Sequence, residues 1–232
     1  VAVLVPTTLL ADQHYHNFSA RLAGFPVRID ELSRFKTKAE QRQTVRDLAE
    51  GKVDLVVGTH RLLQKDVNFA DLGLIVVDEE QRFGVMHKER LKEYRTAVDV
   101  LTLSATPIPR TLHMSLLGVR DLSLIQTAPK NRMAVKTVVV PEGEAIVQRA
   151  ISAELDRGGQ VYYLHNRVES IYAVKSQLQK LLPNARIGIG HGQMTEGELE
   201  PVMQAFIEGD LDVLVATTII ENGIDIPNLN TM

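Results

Sequence analysis

Residues 74–81 have the sequence LIVVDEEQ, in which four apolar residues are followed at once by three carboxylates and a glutamine. A run that is apolar throughout is typical of a strand buried on both faces of a parallel sheet. Ligands of open α/β sheets bind at the carboxyl ends of the strands, which is where Asp78, Glu79 and Glu80 would lie. This stretch therefore predicts an α/β fold with a polar site at one edge of its sheet.

Short apolar runs recur along the chain and alternate with stretches of helical periodicity. The strands that they predict cover residues 1–5, 26–31, 53–57, 74–77, 100–103, 134–140, 161–164, 185–189 and 213–216. The predicted helices cover residues 37–50, 145–155 and 168–181. A fourth helix begins at the capping sequence Thr195-x-x-Glu198, and Pro201 is expected to bend it. Strand–helix alternation of this kind predicts mostly parallel sheets with flanking helices.

The segment at residues 126–132, QTAPKNR, interrupts the alternation near the middle of the chain. It is polar and contains a proline, which are features of a linker between domains. We therefore predict two α/β lobes, residues 1–128 and residues 129–232.

The composition is that of an ordinary globular protein, with 232 residues, 44% hydrophobic, 24% charged and a formal net charge of −3. The absence of cysteine excludes a disulfide framework and a cysteine-based zinc site. No apolar run is long enough to span a bilayer, so we predict a cytoplasmic protein without membrane contact. The chain starts without methionine inside an apparent strand and ends without a cap, which predicts a fragment with both lobes incomplete.

Two stretches of the first half suggest phosphate chemistry. Asp78 would hold Mg²⁺ through water while Glu79 orients and deprotonates an attacking water; a solvated acidic turn is the alternative. In residues 101–107, LTLSATP, the hydroxyls of Ser104 and Thr106 would hydrogen-bond to the acidic loop and respond to a γ-phosphate. The alternative is a plain helix start with Thr106 as its N-cap.

Residues 216–227, ATTIIENGIDIP, form a comparable stretch in the second half. The hydroxyls of Thr217 and Thr218 and the tight turn at Gly223 suit phosphate contacts, and Asp225 would accept from a ribose hydroxyl. An ordinary loop with a glycine turn is the alternative.

Weaker signals place polar residues after other strands. These residues are Thr7 and Thr8, Thr59 and His60, and the run of His165, Asn166 and Arg167. Thr8 or Thr59 could equally be a plain helix cap, and His60 and His165 are more often structural or exposed than catalytic.

The order of these stretches resembles the motor of superfamily 2 helicases. The matching residues are 6–8 for motif Ia, 58–60 for motif Ib, 78–81 for Walker B, 104–106 for motif III, 164–167 for motif IV and 217–225 for motif V. Residues 78–85, DEEQRFGV, and 106–111, TPIPRT, are similar to the RecG-like group. Residues 87–90, 134–137, 165–171 and 190–194 are similar to the bacterial transcription-repair coupling factors.

The resemblance implies two RecA-like lobes of the P-loop NTPase class that clamp ATP and Mg²⁺ and step along double-stranded DNA. It implies that Asp78 binds Mg²⁺, that Glu79 is the catalytic base, and that Gln81, Ser104 and Thr106 link hydrolysis to lobe movement. It also implies that Gly223 and Asp225 face the nucleotide. The implied DNA contacts are Thr7, Thr8, Thr59, His60, Asn166, Arg167, Thr217 and Thr218.

Coupling factors displace stalled RNA polymerase at DNA damage and recruit the damage-recognition protein of excision repair. The resemblance implies both partners, through domains outside these residues. No Gly-x-x-x-x-Gly-Lys-[Ser/Thr] loop occurs in the sequence, and motif VI would follow residue 232. We therefore expect the isolated chain to be inactive as an ATPase. Gln81 stands where many relatives have histidine, which predicts altered coupling.

Three alternatives remain open from the sequence. The first is a RecG-type remodeller of branched DNA with the same motor. The second is a non-catalytic α/β interaction module. The third is an unrelated α/β enzyme in which Asp78, Glu79 and Glu80 bind a metal for a small substrate.

Overall fold

The computed structural model describes residues 1–94, 96–105, 121–127, 135–141, 143–218 and 224–232. The chain divides into two compact units, Val1–Arg132 and Met133–Met232. The boundary predicted between residues 128 and 129, and most of the predicted linker, lie outside the described residues.

The first unit contains a five-stranded sheet of β1 (Ala2–Leu4), β2 (Ile29–Leu32), β3 (Leu55–Gly58), β4 (Leu74–Asp78) and β5 (Asp99–Leu103). The strand order is β2-β3-β1-β4-β5, and each neighbouring pair is parallel. Because all five strands run in the same direction, their carboxyl ends lie at one edge of the sheet.

The helices of the first unit are α1 (Thr8–Arg21), α2 (Lys38–Ala49) and α3 (Val85–Tyr94), with 3₁₀ turns at His60–Leu63 and Glu80–Arg82. Thr7 is the N-cap of α1, and its hydroxyl accepts a hydrogen bond from the Leu10 N–H at 3.4 Å. A capping box opens α2. Its Glu40 carboxylate accepts from the Thr37 hydroxyl and N–H, and these hydrogen bonds lower the pKa of Glu40.

The core of the first unit lies between the sheet and its helices. Leu48 of α2 and Leu91 of α3 belong to the same buried cluster as Leu4, Val56 and Val77 of the strands. Each of these side chains contributes roughly 1.5–3 kcal/mol by leaving water. This packing fixes the sheet edge on which the polar residues lie.

A buried carboxylate lies on the edge strand β2. Glu31 is almost fully buried, and its Oε1 has no hydrogen-bond partner in the described part of the chain. Burial raises the pKa of Glu31, and a hydrogen bond with Ser33 only partly offsets this effect.

The second unit contains a parallel sheet of β6 (Gln160–Leu164), β7 (Ile187–Gly190), β8 (Val213–Ala216) and β9 (Leu229–Thr231), in the order β7-β8-β6-β9. Its helices are α4 (Glu144–Asp156), α5 (Val168–Leu181) and α6 (Glu196–Ile207). Ile151 of α4 and Ile171 and Leu178 of α5 form its core with Val161 and Val215. The two parallel-sheet units confirm the predicted fold class.

Helix predictions in the second unit are largely confirmed. The bounds of α5 agree with the predicted residues 168–181. The capping box of α6 is present, and hydrogen bonds from Thr195 lower the pKa of Glu198. Pro201 lies inside α6, which continues to Ile207. No helix in the described ranges is long and apolar enough to cross a membrane.

The strand predicted at residues 134–140 is wrong for the part that the structure describes. Residues 135–140 form no strand, and Val135 and Val139 are 89% and 94% exposed. A β-branched run forms a strand only when it finds a partner, and no described strand pairs with this segment. The short strand β9 was not predicted, because its three residues are mostly polar.

The buried Glu154 carboxylate of α4 pairs with Arg157 at the end of its own helix and is hydrogen-bonded to β9. The Glu154 carboxylate accepts from the Arg157 guanidinium, with Nε at 2.9 Å, and from the Thr231 hydroxyl. Burial opposes ionisation of Glu154, but these donors outweigh it and hold the pKa of Glu154 below its usual range.

Candidate active site

The acidic loop begins where β4 ends. Asp78 is the last residue of β4 and pairs in register with Leu103 of β5. Glu79 follows with φ 50° and ψ 54°, and it is the one non-glycine residue with positive φ in the described ranges. A left-handed backbone costs a non-glycine residue roughly 1–3 kcal/mol, and it persists only where surrounding contacts fix it. One such contact is the hydrogen bond from the Glu79 N–H to the Leu103 carbonyl at 3.0 Å.

The Glu79 carboxylate is held by donors from its own loop and from the end of β5. Glu79 is only 6% exposed. Its Oε2 accepts from the Gln81 amide and, at 3.5 Å, from the Ser104 hydroxyl. Its Oε1 accepts from the Ala105 N–H at 3.4 Å. The predicted hydrogen bond of Ser104 to the acidic loop is thus present, and its length shows that it is weak.

Ser104 contacts Gln81 as well as Glu79. Its hydroxyl lies 3.5 Å from Gln81 Oε1, so the Gln81 amide group contacts Glu79 with its nitrogen and Ser104 with its oxygen. Thr106, the other hydroxyl predicted here, lies outside the described residues. The roles of Gln81, Ser104 and Thr106 in coupling stay predictions.

The Asp78 carboxylate has a neighbour that the sequence did not reveal. Nε2 of His14, on α1, lies 3.4 Å from Asp78 Oδ2. The side chains of His14 and Asp78 are 32% and 19% exposed, respectively. The sequence could have indicated this contact only indirectly. The inference would require knowing that α1 follows β1 and that β1 is the sheet neighbour of β4.

The donor set around Asp78 fits a magnesium ion better than a zinc ion. No group of three or more metal-binding side chains occurs within the ranges that the structure describes. Protein-bound Mg²⁺ commonly uses one or two carboxylates and takes its remaining ligands from water and phosphate oxygens. A single, partly exposed carboxylate at a strand end is compatible with that coordination.

The predicted DNA contacts of the first unit follow β1 and β3, at the same sheet edge as Asp78. Thr7 is half-buried, whereas Thr8 and Thr59 are buried. His60 is exposed, and its ring centroid lies 5.4 Å from that of His87. His60 therefore presents its side chain to solvent, while Thr8 and Thr59 do not.

The predicted contacts of the second unit follow β6 and β8, which are neighbouring strands. Asn166 and Arg167 are exposed where the chain enters α5. Thr217 is buried, and its N–H donates to the Gly190 carbonyl at 3.2 Å, whereas Thr218 is exposed. The DNA-binding roles of these residues stay predictions.

The nucleotide contacts predicted in the second unit are only partly described. Asp225 is exposed, and Gly223 lies outside the described residues. Their contacts with the nucleotide stay predictions.

Comparison with known proteins defines the class. The family model for the DEAD/DEAH box helicase domain matches residues 1–115, and the model for the helicase conserved C-terminal domain matches residues 144–232. Together with the two parallel-sheet units, these matches show that the chain belongs to the helicase family built from this pair of domains. The family binds and hydrolyses ATP.

Within this class, the whole chain is similar to transcription-repair-coupling factors. It is 58% identical to the one from Bacillus subtilis (strain 168) and 57% identical to the one from Staphylococcus aureus (strain USA300). In each case the identity covers 100% of this chain and 20% of the relative, so the chain spans about a fifth of the length of these proteins.

Solved structures agree with this class. The structure of RecG bound to a three-way DNA junction matches with a TM-score of 0.78 and 36% identity, over 99% of this chain and 31% of that one. Helicase Lhr of Mycobacterium smegmatis, bound to single-stranded DNA and AMP-PNP, matches with a TM-score of 0.65. Lhr is 17% identical over 99% of this chain and 35% of its own, so it supports the fold alone.

Proposed function

We propose that this chain is part of the ATP-driven, double-stranded DNA translocase motor of a transcription-repair coupling factor. The observation that carries the proposal is the buried Glu79 carboxylate, held beside Asp78 at the sheet edge by donors from Gln81, Ser104 and Ala105. A carboxylate fixed in this way suits a base that must meet a water molecule in one orientation.

In this proposal Asp78, Glu79 and Gln81 of the acidic loop have separate tasks. Asp78 holds Mg²⁺ through water, and Glu79 orients the attacking water and accepts its proton. When bound, Mg²⁺ neutralises charge on the phosphate oxygens during phosphoryl transfer. Gln81 and Ser104 keep the Glu79 carboxylate in place and connect it to the end of β5, through which hydrolysis is coupled to movement.

DNA binding is proposed for the carboxyl ends of the strands in both units. His60, Asn166, Arg167 and Thr218 are exposed, as direct contact with DNA phosphates requires. Buried residues such as Thr8 would contribute through the backbone or through the position of their neighbours. Contacts to phosphate carry no sequence information, so binding should be sequence-independent and weaken as salt rises.

The cellular role that we propose is release of RNA polymerase stalled at DNA damage, followed by recruitment of the excision-repair damage-recognition protein. Its support is the name of the relatives that match the chain at 57–58% identity along its full length. RNA polymerase and the repair protein would bind through parts of the protein other than these residues.

A second candidate is a RecG-type remodeller of branched DNA, which the 36% identity to RecG favours. We rank the RecG-type candidate second, because the chain is 58% identical to a coupling factor and 36% identical to RecG. The two candidates separate in one experiment on the full-length protein. Release of a stalled polymerase supports the first, whereas fork reversal without polymerase release supports the second.

The motor proposal is tested by Glu79→Gln in the full-length protein that carries this sequence. We expect plasmid-stimulated ATP hydrolysis to fall by about 10²- to 10⁴-fold, because the amide cannot accept the proton. Glu80→Gln in the same loop is the control and should retain most activity. Full activity of Glu79→Gln would instead support a non-catalytic interaction module.

A further inference from the structure

We propose that His14 is a positioning residue for the Asp78 carboxylate, holding one of its oxygens so that the other is presented to Mg²⁺ or its bound water. This inference rests on the proposed metal-binding role of Asp78. It adds a residue of α1 to the site, outside all of the sequence stretches that pointed to the chemistry.

The fold brings His14 to Asp78 through adjacent strands. β1 pairs with β4 in the register Leu4↔Val77, so the segments that follow these two strands emerge side by side. Thr7 caps α1 immediately after β1, and the first turn of α1 is buried. The helix is therefore anchored at its start, and two turns later His14 Nε2 lies 3.4 Å from Asp78 Oδ2.

The His14 ring is also supported on its own helix. It stacks on Phe18, with ring centroids 6.0 Å apart and an interplanar angle of 24°. Partial burial limits competition from water, since only 32% of the His14 side chain and 19% of the Asp78 side chain are exposed. The stacked ring and the partial burial keep His14 Nε2 beside the Asp78 carboxylate.

The chemistry of imidazole suits this task. An imidazole ring carries at least one N–H donor, so His14 can donate to Oδ2 of Asp78. Oδ1 of Asp78 then remains for Mg²⁺ or its water. Residues that orient metal ligands in this way typically contribute about 10- to 100-fold to metal affinity.

The chain supplies a matched control on the same helix. His16 lies two residues further along α1, its side chain is 69% exposed, and its near neighbour is Asp12 at 3.8 Å rather than Asp78. Loss of a histidine from α1 can therefore be separated from loss of the contact with Asp78.

The experiment uses the full-length protein with His14→Ala, His14→Gln and His16→Ala. Two quantities are measured: the Mg²⁺ concentration that gives half-maximal ATPase activity, and Mn²⁺ affinity in the presence of ADP by electron paramagnetic resonance. For His14→Ala we expect the Mg²⁺ midpoint to rise by about 10-fold. Mn²⁺ affinity should fall by a similar factor, whereas kcat at saturating Mg²⁺ stays nearly unchanged. His14→Gln, which keeps an N–H donor, should recover most of the affinity, and His16→Ala should match the parent protein.

Asp78→Asn separates failure of this inference from failure of the proposed function. If Asp78→Asn weakens Mn²⁺ binding and His14→Ala does not, the positioning role is wrong and the metal site stands. If neither change affects Mn²⁺ binding, the metal-binding role of Asp78 fails as well. A His14→Ala protein with lower kcat, normal Mn²⁺ affinity and a less stable α1 by hydrogen exchange would show a purely structural role and overturn the proposal.

Discussion

The Ser104 hydroxyl lies 3.5 Å from Oε2 of Glu79, although the two residues are 25 positions apart in the chain. They meet because β4 and β5 are parallel neighbours with Asp78 opposite Leu103, so the residues that follow each strand lie side by side. The contact links the proposed catalytic base to the end of a different strand.

Ser104→Ala should lower ATP hydrolysis by about fivefold, which corresponds to about 1 kcal/mol for one weak hydrogen bond to a carboxylate. The Ala105 N–H and the Gln81 amide still hold Glu79, so activity should not be lost altogether. Steady-state kcat in the full-length protein measures the effect. A fall as large as that of Glu79→Gln would mean that Ser104 has a more direct role.

Gln81→His should lower the ratio of DNA-stimulated to DNA-independent ATP hydrolysis by about fivefold, or about 1 kcal/mol. The amide contacts Glu79 with its nitrogen and Ser104 with its oxygen. The two ring nitrogens of histidine are at the δ and ε positions, whereas the oxygen and nitrogen of the Gln81 amide are both at the ε position, so an imidazole cannot keep both contacts. Rates with and without plasmid DNA give the ratio, and an unchanged ratio contradicts the prediction.

Gly58→Ala should destabilise the first unit by about 1–3 kcal/mol. A Cβ at this position would lie 2.6 Å from the Leu32 carbonyl oxygen and 2.9 Å from Leu62 Cγ, so β2 and β3 would have to separate. Gly73→Ala is the control, because its Cβ would meet nothing within 4 Å. Thermal unfolding of the two variants tests the difference, and equal melting temperatures contradict it.

Glu31→Gln should stabilise the first unit near neutral pH by about 1 kcal/mol, because it removes a buried charge from a carboxylate whose Oε1 has no hydrogen-bond partner among the described residues. The pKa of Glu31 is raised in the folded chain, so the native state binds the proton more tightly than the unfolded state does. Stability of the parent chain is therefore lost as pH rises from the ordinary glutamate pKa through the raised one.

Hydrogen exchange of the β2 amides, corrected for the intrinsic rate at each pH, measures this effect. The advantage of Glu31→Gln should disappear below the ordinary pKa of glutamate, where the parent side chain is also protonated. An advantage that is the same at every pH would show that the charge is not its cause.

Apolar runs predicted most strands, because burial on both faces leaves a strong signal in sequence. The run at residues 213–216 agrees with β8, and the pattern at residues 168–181 agrees with α5. The helices α1 and α3 were missed, because α1 buries only its first turn and α3 has Leu91 as its only buried residue. The strand predicted at residues 134–140 is an over-prediction. Its residues favour a strand locally, but local propensity does not supply a pairing partner.

Some features of the candidate site were also predictable from the sequence, and others were not. Residues that follow strands, such as Glu79 and Ser104, were predictable because strand order along the chain places them at one sheet edge. The left-handed backbone of Glu79 was not predictable, since no glycine or asparagine marks it. The contact between His14 and Asp78 follows from the pairing of β1 with β4, and a single sequence does not reveal which strands pair.

The exclusively parallel pairing of the described strands also bears on how this chain folds. β1 is the middle strand of the first sheet, and its partners β3 and β4 arrive some 50 to 70 residues later. No hairpin can nucleate such a sheet. Long loops must therefore close, at a cost in entropy, before any strand pairing stabilises the chain. On the ribosome, the edges of β1 would remain unpaired until β3 and β4 have been synthesised. During that interval the nascent chain exposes an apolar strand, and it is then most prone to aggregation and most in need of a chaperone.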